Sequence, residues 1–237
     1  MLKIMLDPGH GQYDNQSPLD KSFYEGANNY KFALVLKDAL LAYEGVEVFM
    51  TKQSIGENPS LADRGKMAVT KGCDVFLSIH SNAATASAYG VEGYYSVETP
   101  EAKGLLTGLC NIVRNNLPAS KVRRVVTKTN ANGTDYYGVL RSSADVKYSM
   151  LIEQGFHTNA KELACIRLDE WHKVVAKGQA QVFADFFKLK LKTAAPKPAA
   201  PKTLYRVQVG AFSVKANAEK LANELKSKGY STIIKEG

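Results

Sequence analysis

Two histidines follow short apolar runs in this 237-residue chain. Ile4 to Leu6 leads into Asp7-Pro8-Gly9-His10-Gly11, and Val75 to Ile79 leads into His80-Ser81-Asn82. A neutral imidazole is a common metal ligand, and a strand that stops on one places it at a sheet edge. In open α/β sheets that rim, outside the carboxyl ends of the strands, is where residues distant in sequence converge on a ligand. A third run, Ser149 to Ile152, ends on the carboxylate of Glu153. Two imidazoles with carboxylates nearby match zinc-hydrolase chemistry, in which two or three side chains hold the metal and another acid handles protons.

Glycines on both sides of His10 predict a sharp turn with room beside the ring. Glu25 opens a helical pattern, with Asn28 and Asn29 one turn on. The helix dipole alone favours a carboxylate there, by roughly 0.3 to 1 kcal/mol. The alternative is that the helix start aims Glu25 at the metal, completing a His10, Glu25, His80 set with a fourth position open. Glu153 near such a metal could accept a proton from the attacking water and return it to a leaving amine.

The elements that must position these groups are read from periodicity. Leu2 to Leu6, Val46 to Met50, Val75 to Ile79, Val91 to Val97 and Ser149 to Ile152 read as strands. Helical spacing marks Ala27 to Tyr43, Leu61 to Thr70, Glu101 to Asn116 and Glu170 to Lys188. This alternation predicts an α/β fold: a mostly parallel twisted sheet flanked by helices, over residues 1–190. A linker rich in Ala, Pro and Lys follows at 191–203. Residues 204–237 read as a small βαβ segment, with strands at Tyr205 to Val209 and Ser231 to Ile234 around a helix at Ala216 to Lys228.

Composition narrows the function classes. No apolar run reaches the roughly 18 to 20 residues of a membrane span. The first motif begins at the N-terminus, so the expectation is a protein made in the cytoplasm without a signal peptide. Cys73, Cys110 and Cys165 lack metal-binding spacing and are expected to be reduced, buried thiols. Residues 1–190 carry a net charge of +2 and residues 191–237 carry +6. A nearly balanced body argues against nucleic acid, while the basic tail suits an anionic polymer, with a solvated linker as the alternative.

Taken in order, Asp-Pro-Gly-His-Gly, Glu25, Leu61-x-x-Arg64, Ser-Ile-His-Ser-Asn and Glu-x-Gly-Phe-x-Thr-Asn resemble the zinc-dependent N-acetylmuramoyl-L-alanine amidases of the amidase 3 family. The resemblance spans residues 1 to 188, and the family includes phage endolysins and sporulation autolysins. It implies one zinc ion held by His10, Glu25 and His80, with Glu153 as the catalytic carboxylate. Arg64 matches the family's arginine in the helix before the second histidine strand and is read here as structural, while Arg141 resembles a family position near the site and is a candidate substrate contact. Gln12 and Lys52 depart from the pattern, standing where a glycine and an arginine are usual. The tail, from Tyr205-Arg206-Val207-Gln208-Val209-Gly210, resembles the first half of a SPOR module, which binds peptidoglycan. The implied activity is hydrolysis of the amide between N-acetylmuramic acid and L-alanine in the bacterial wall, after release by phage-induced or mother-cell lysis. A zinc peptidase acting within the stem peptide, or a non-catalytic wall-binding protein, are the alternatives.

Overall fold

The computed structural model describes residues 1–118, 121–192 and 207–235. Its contacts divide the chain into two compact units, Met1–Lys192 and Thr193–Gly237. Among the described residues no helix is long and apolar enough to cross a membrane.

The first unit is a six-stranded sheet with helices on both faces. Its strands are β1 (Leu2–Pro8), β2 (Val46–Met50), β3 (Val75–Asn82), β4 (Val91–Tyr95), β5 (Val122–Val126) and β6 (Tyr148–Phe156). They lie in the order β2-β1-β3-β6-β4-β5, and every pairing is parallel except β4 against β6. The helices are α1 (Glu25–Leu41), α2 (Leu61–Thr70), α3 (Ala102–Asn115), α4 (Gly138–Ser142), α5 (Ala160–Ile166) and α6 (Asp169–Phe187). The expected mostly parallel α/β fold is therefore present.

Strand side chains alternate between faces, and here the two faces have different tasks. Ile4, Leu6, Val75, Leu77, Ile79, Met150 and Ile152 join the large core formed with α1, α3 and α6. Met5, Phe76, Tyr94 and Leu151 face a smaller cluster that includes Ala68, Val139 and Leu140. Asp7, Ser78, His80, Glu92 and Glu153 share the parity of that second set. Apolar packing on one face thus fixes which polar groups gather on the other, because a one-residue slip would invert every strand.

Several boundaries differ from the sequence reading. β3 and β6 continue through His80 and Glu153 to Asn82 and Phe156, because ladder hydrogen bonds do not depend on apolar side chains. β5 was not anticipated, since Arg123 and Arg124 interrupt its apolar pattern, and the five-residue α4 is too short for periodicity. Cys73 and Cys110 are buried, whereas Cys165 is only half-buried.

In the second unit only a helix, α7 (Lys215–Ser227), is formed among the described residues. Val207 to Val209 and Ser231 to Ile234 make no ladder there, in contrast to the expected βαβ arrangement. A strand needs a hydrogen-bonded neighbour, and a lone pair of short strands is marginal in water. Most of the expected linker, from 193 on, and residues 204–206 lie outside the described residues.

The helix that walls the site tolerates little change. A Cβ on Gly65 in α2 would collide with the Ser142–Ser143 backbone at the end of α4. Gly65→Ala should destabilise the first unit by about 2 kcal/mol through overpacking, lowering its melting temperature by about 4 to 8 °C. A calorimetric melt against the parent chain measures it.

Candidate metal and acid-base site

The end of β1 is held by one buried carboxylate. Asp7 Oδ1 accepts from Arg64 Nη1 at 2.6 Å and Thr51 Oγ1 at 2.7 Å, and Oδ2 accepts from Ser78 Oγ at 2.7 Å. Arg64, 2% exposed, also donates to the carbonyls of Pro59, Pro8 and His10 and to Asn58 Oδ1. All of its donor groups are engaged, which agrees with a structural role.

His10 sits just beyond that strand with φ +66°. The sequence placed the freedom of this turn in its flanking glycines, yet the left-handed residue is the histidine. Such a conformation costs a non-glycine residue about 1 kcal/mol or more and needs external support. The His10 carbonyl accepts from Lys52 Nζ at 2.8 Å and from Arg64 Nη2 at 3.3 Å. Burial, reinforced by the charge of Arg64, lowers the Lys52 pKa to about 8. Gly9 is required for another reason: a Cβ there would overlap the His80 ring.

Glu25 is buried between the two imidazoles. Its Oε1 lies 3.1 Å from His80 Nδ1 and its Oε2 lies 3.4 Å from His10 Nε2. Oε1 also accepts from the Ser81 amide at 3.0 Å and Asn29 at 3.3 Å, and Oε2 from Asn15 Nδ2 at 2.7 Å. This carboxylate does not cap its own helix. Gly26, next to it, lets α1 start against the Gly11 carbonyl, where a Cβ would clash. Neighbouring Asp14 is occupied by the Gly11 amide and Asn58, and Asp20 by Ser22 and Arg167.

Ligand atoms of His10, Glu25 and His80 all lie within 4.8 Å of one another. Donors on a tetrahedral zinc, each about 2.1 Å from the ion, stand roughly 3.4 Å apart. Each Glu25 oxygen stands near that distance from a different imidazole, and the chemistry of the set, a buried anion with two nitrogens, suits such an ion. One face of the group opens to a cleft of about 340 Å³ lined by Asp14, Asn58, Ser60, Leu61 and Val139.

Glu153 stands beside this group without joining it. It is the ladder partner of His80 on β3 and of Glu92 on β4. Its Oε2 is buried and has no hydrogen-bond partner among the described residues. Glu92, by contrast, is fully engaged by Tyr94, Asn82 and Arg123.

The charges of these groups oppose one another. Burial raises Glu153 to about 7, partly countered by His80 and reinforced by Glu25 and Glu92. Burial would also raise Glu25, but the His80 hydrogen bond and the charges of both imidazoles hold it at about 2. For His80, burial is outweighed by the Glu25 hydrogen bond and nearby carboxylates, giving about 9, whereas burial lowers His10. Two carboxylates on one site are thereby set apart, one anionic throughout and one poised near neutrality.

Arg141 is exposed on α4, the helix that carries Val139 into the cleft wall. Its Nη1 donates to the carbonyls of Asp135 at 2.6 Å and Tyr136 at 2.8 Å. No hydrogen bond or ion pair links it to the His10–Glu25–His80 group among the described residues. Sequence reasoning missed Asn15, Asn29, Lys52 and Glu92 as supporting groups. Only Lys52 carried a signal, as a basic residue directly after an apolar strand.

Residues 4–184 match the family model described as N-acetylmuramoyl-L-alanine amidase. The chain belongs to that family. A second match, to the SPOR domain, covers residues 201–237 of this amidase-family chain. It is 31% identical over 235 residues to the sporulation-specific N-acetylmuramoyl-L-alanine amidase of Bacillus subtilis (strain 168), covering 99% of this chain and 84% of the relative. It is 28% identical over 195 residues to the endolysin of Bacillus phage SPP1, covering 82% of this chain and 69% of that protein. Among solved structures it resembles an N-acetylmuramoyl-L-alanine amidase from Clostridium difficile 630, with TM-score 0.69 and 26% identity over 79% of this chain and 97% of the other.

The raised Glu153 pKa has a consequence for the metal-free protein. Between pH 4.5 and about 7 the folded chain keeps a proton that the unfolded chain has lost, so this group's contribution to stability declines as pH rises through that window. Glu153→Gln removes the decline. In chelator, its melting temperature should match the parent near pH 4.5 and exceed it at pH 8; an equal difference at both values would contradict the charge assignment.

Proposed function

We propose that this chain is a zinc-dependent peptidoglycan hydrolase that cleaves the amide between N-acetylmuramic acid and the L-alanine of the stem peptide. The reading is supported by the family match and carried by one observation: a carboxyl oxygen unpartnered among the described residues, beside a His–Glu–His donor group. His10, Glu25 and His80 would hold a single zinc ion. When bound, zinc supplies Lewis acidity toward a carbonyl and makes water easier to deprotonate.

The remaining work falls to side chains. Glu153 takes the proton from the attacking water and delivers it to the nitrogen of the departing amine, which otherwise leaves poorly. A buried carboxylate beside the donor group, with an oxygen that accepts no hydrogen bond among the described residues, is placed for both halves of that transfer. Asn15 and Asn29 keep Glu25 turned toward the imidazoles, and the Lys52 and Arg64 contacts keep the His10 backbone in its strained turn. Arg141 is assigned a secondary contact with substrate.

The SPOR match supports wall attachment by residues 201–237, and the excess of lysine there favours anionic wall polymers. The relatives named above include a sporulation amidase and a phage endolysin, which supports a reading in which this chain acts at the cell wall after release.

Digestion of purified wall by the zinc-loaded chain, followed by mass spectrometry, should yield stem peptides with a free L-alanine amine. Glu153→Ala should lower turnover by about 10² to 10⁴ while retaining one equivalent of zinc, and chelation should abolish activity until zinc is restored. New termini inside the stem peptide would indicate a peptidase. Normal turnover by a folded Glu153→Ala protein would remove Glu153 from the mechanism.

A further inference from the structure

A β-bulge brings two arginines to the row that contains Glu153. On β4 and β5 the register runs Val91 to Val122 but Glu92 to Arg124, so Arg123 is the inserted residue. Bulges re-aim side chains and are frequent beside active sites. Here both consecutive arginines reach the same carboxylate oxygen: Glu92 Oε1 lies 2.7 Å from Arg123 Nε and 3.5 Å from Arg124 Nε. The other oxygen is taken by Tyr94 at 2.6 Å and Asn82 at 3.2 Å. One carboxylate therefore faces two guanidiniums, leaving one positive charge in excess.

The two arginines are not equivalent. Arg123 is held by the Tyr89 carbonyl at 3.3 Å and by the Phe156 ring, 5.2 Å from its guanidinium carbon. Arg124, with its side chain 49% exposed, has Glu92 as its sole polar partner among the described residues. Lys121 and Lys128 add to the same segment, and no acidic residue lies between them in the sequence.

The proposed chemistry gives this charge a direction. Glu153 protonates the leaving amine, so the peptide departs on the Glu153 side of the imidazoles, toward β4 and β5. Ladder partners run His80, Glu153, Glu92, Arg124 across β3, β6, β4 and β5. At about 4.8 Å per strand, the backbones of Glu153 and Arg124 are roughly 10 Å apart. An extended peptide covers about 3.3 to 3.6 Å per residue, which places its second or third residue near Arg124. The opposite flank of the cleft carries Asp14, Asn58 and Ser60; Arg64, the arginine in its lining, is fully engaged, and Arg141 on the neighbouring α4 is drawn to the carbonyls of Asp135 and Tyr136.

We propose that Arg124, buttressed by Arg123 on the β5 bulge, is a subsite for a carboxylate on the second or third residue of the substrate peptide. This rests on the amide-hydrolase reading for the direction of the peptide. Recognition is by charge-assisted, bidentate contact with an anion, which an uncharged carboxamide cannot replace.

The test uses the full zinc-loaded chain and synthetic muramoyl peptides. One pair carries a free carboxylate or a carboxamide on the second residue, and another carries a side-chain carboxylate or an amine on the third. Binding is measured calorimetrically on the Glu153→Gln protein, and turnover on the parent. The parent should prefer the carboxylate member of one pair by about tenfold in Kd and KM, with kcat within about twofold, and the pair that responds identifies the residue bound. Arg124→Gln should erase the preference without altering the melting temperature, and Arg124→Lys should retain part of it. An indifferent parent, or an undiminished preference in Arg124→Gln, overturns the subsite. Discrimination in binding without release of an L-alanine amine upholds the subsite and refutes the amidase reading instead.

Discussion

The buried contact between Asp7 and Arg64 is the constraint from which the site is built. One carboxylate gathers donors from α2, from the residue after β2 and from β3, and so pins three strands and a helix at one rim. An ion pair removed from water is stable only when its remaining hydrogen-bonding capacity is filled. Here Arg64 meets that condition with backbone carbonyls, including that of His10. Shielding the charge and shaping the turn that presents the first imidazole are thus one set of bonds.

Beyond that rim, function follows from how the sheet shares charge among neighbouring strands. His80, Glu153, Glu92 and Arg124 occupy one row, and their environments alternate. Glu92 is saturated by donors and stays low in pKa, while burial raises Glu153, whose Oε2 has no donor among the described residues, toward neutrality. The antiparallel entry of β4 makes this possible, because it brings the start of that strand level with the end of β6. A fully parallel sheet would have placed the start of β4 at the opposite rim.

The departures from family pattern are absorbed locally. Lys52 still donates to the His10 carbonyl, so one cation replaces another at a carbonyl that needs a donor but no planar fork. The long segment between His10 and Glu25 is tied down at Ser17, whose hydroxyl donates to the His157 carbonyl at 2.8 Å. Asn15, within it, contacts both Glu25 and His10, so the loop contributes to the His–Glu–His group it connects.

The sequence by itself determined the α/β fold and the residues of the donor group. Long apolar runs such as Val75 to Ile79 and the stripe from Phe32 to Leu40 encode their own geometry, and His10, Glu25, His80 and Glu153 follow from motif order. Only the tertiary structure decided which groups are partnered. The left-handed His10, the orphaned Glu153 oxygen and the bulge that doubles the arginines at Glu92 arise from contacts between segments far apart in the chain. The physical reason is range: periodicity reports each residue's relation to its own helix or strand, whereas hydrogen-bond saturation and pKa are set across strands. Arg123 and Arg124 show the limit most plainly, since alternation alone would send them to opposite faces of β5, and pairing with β4 turns both to one carboxylate.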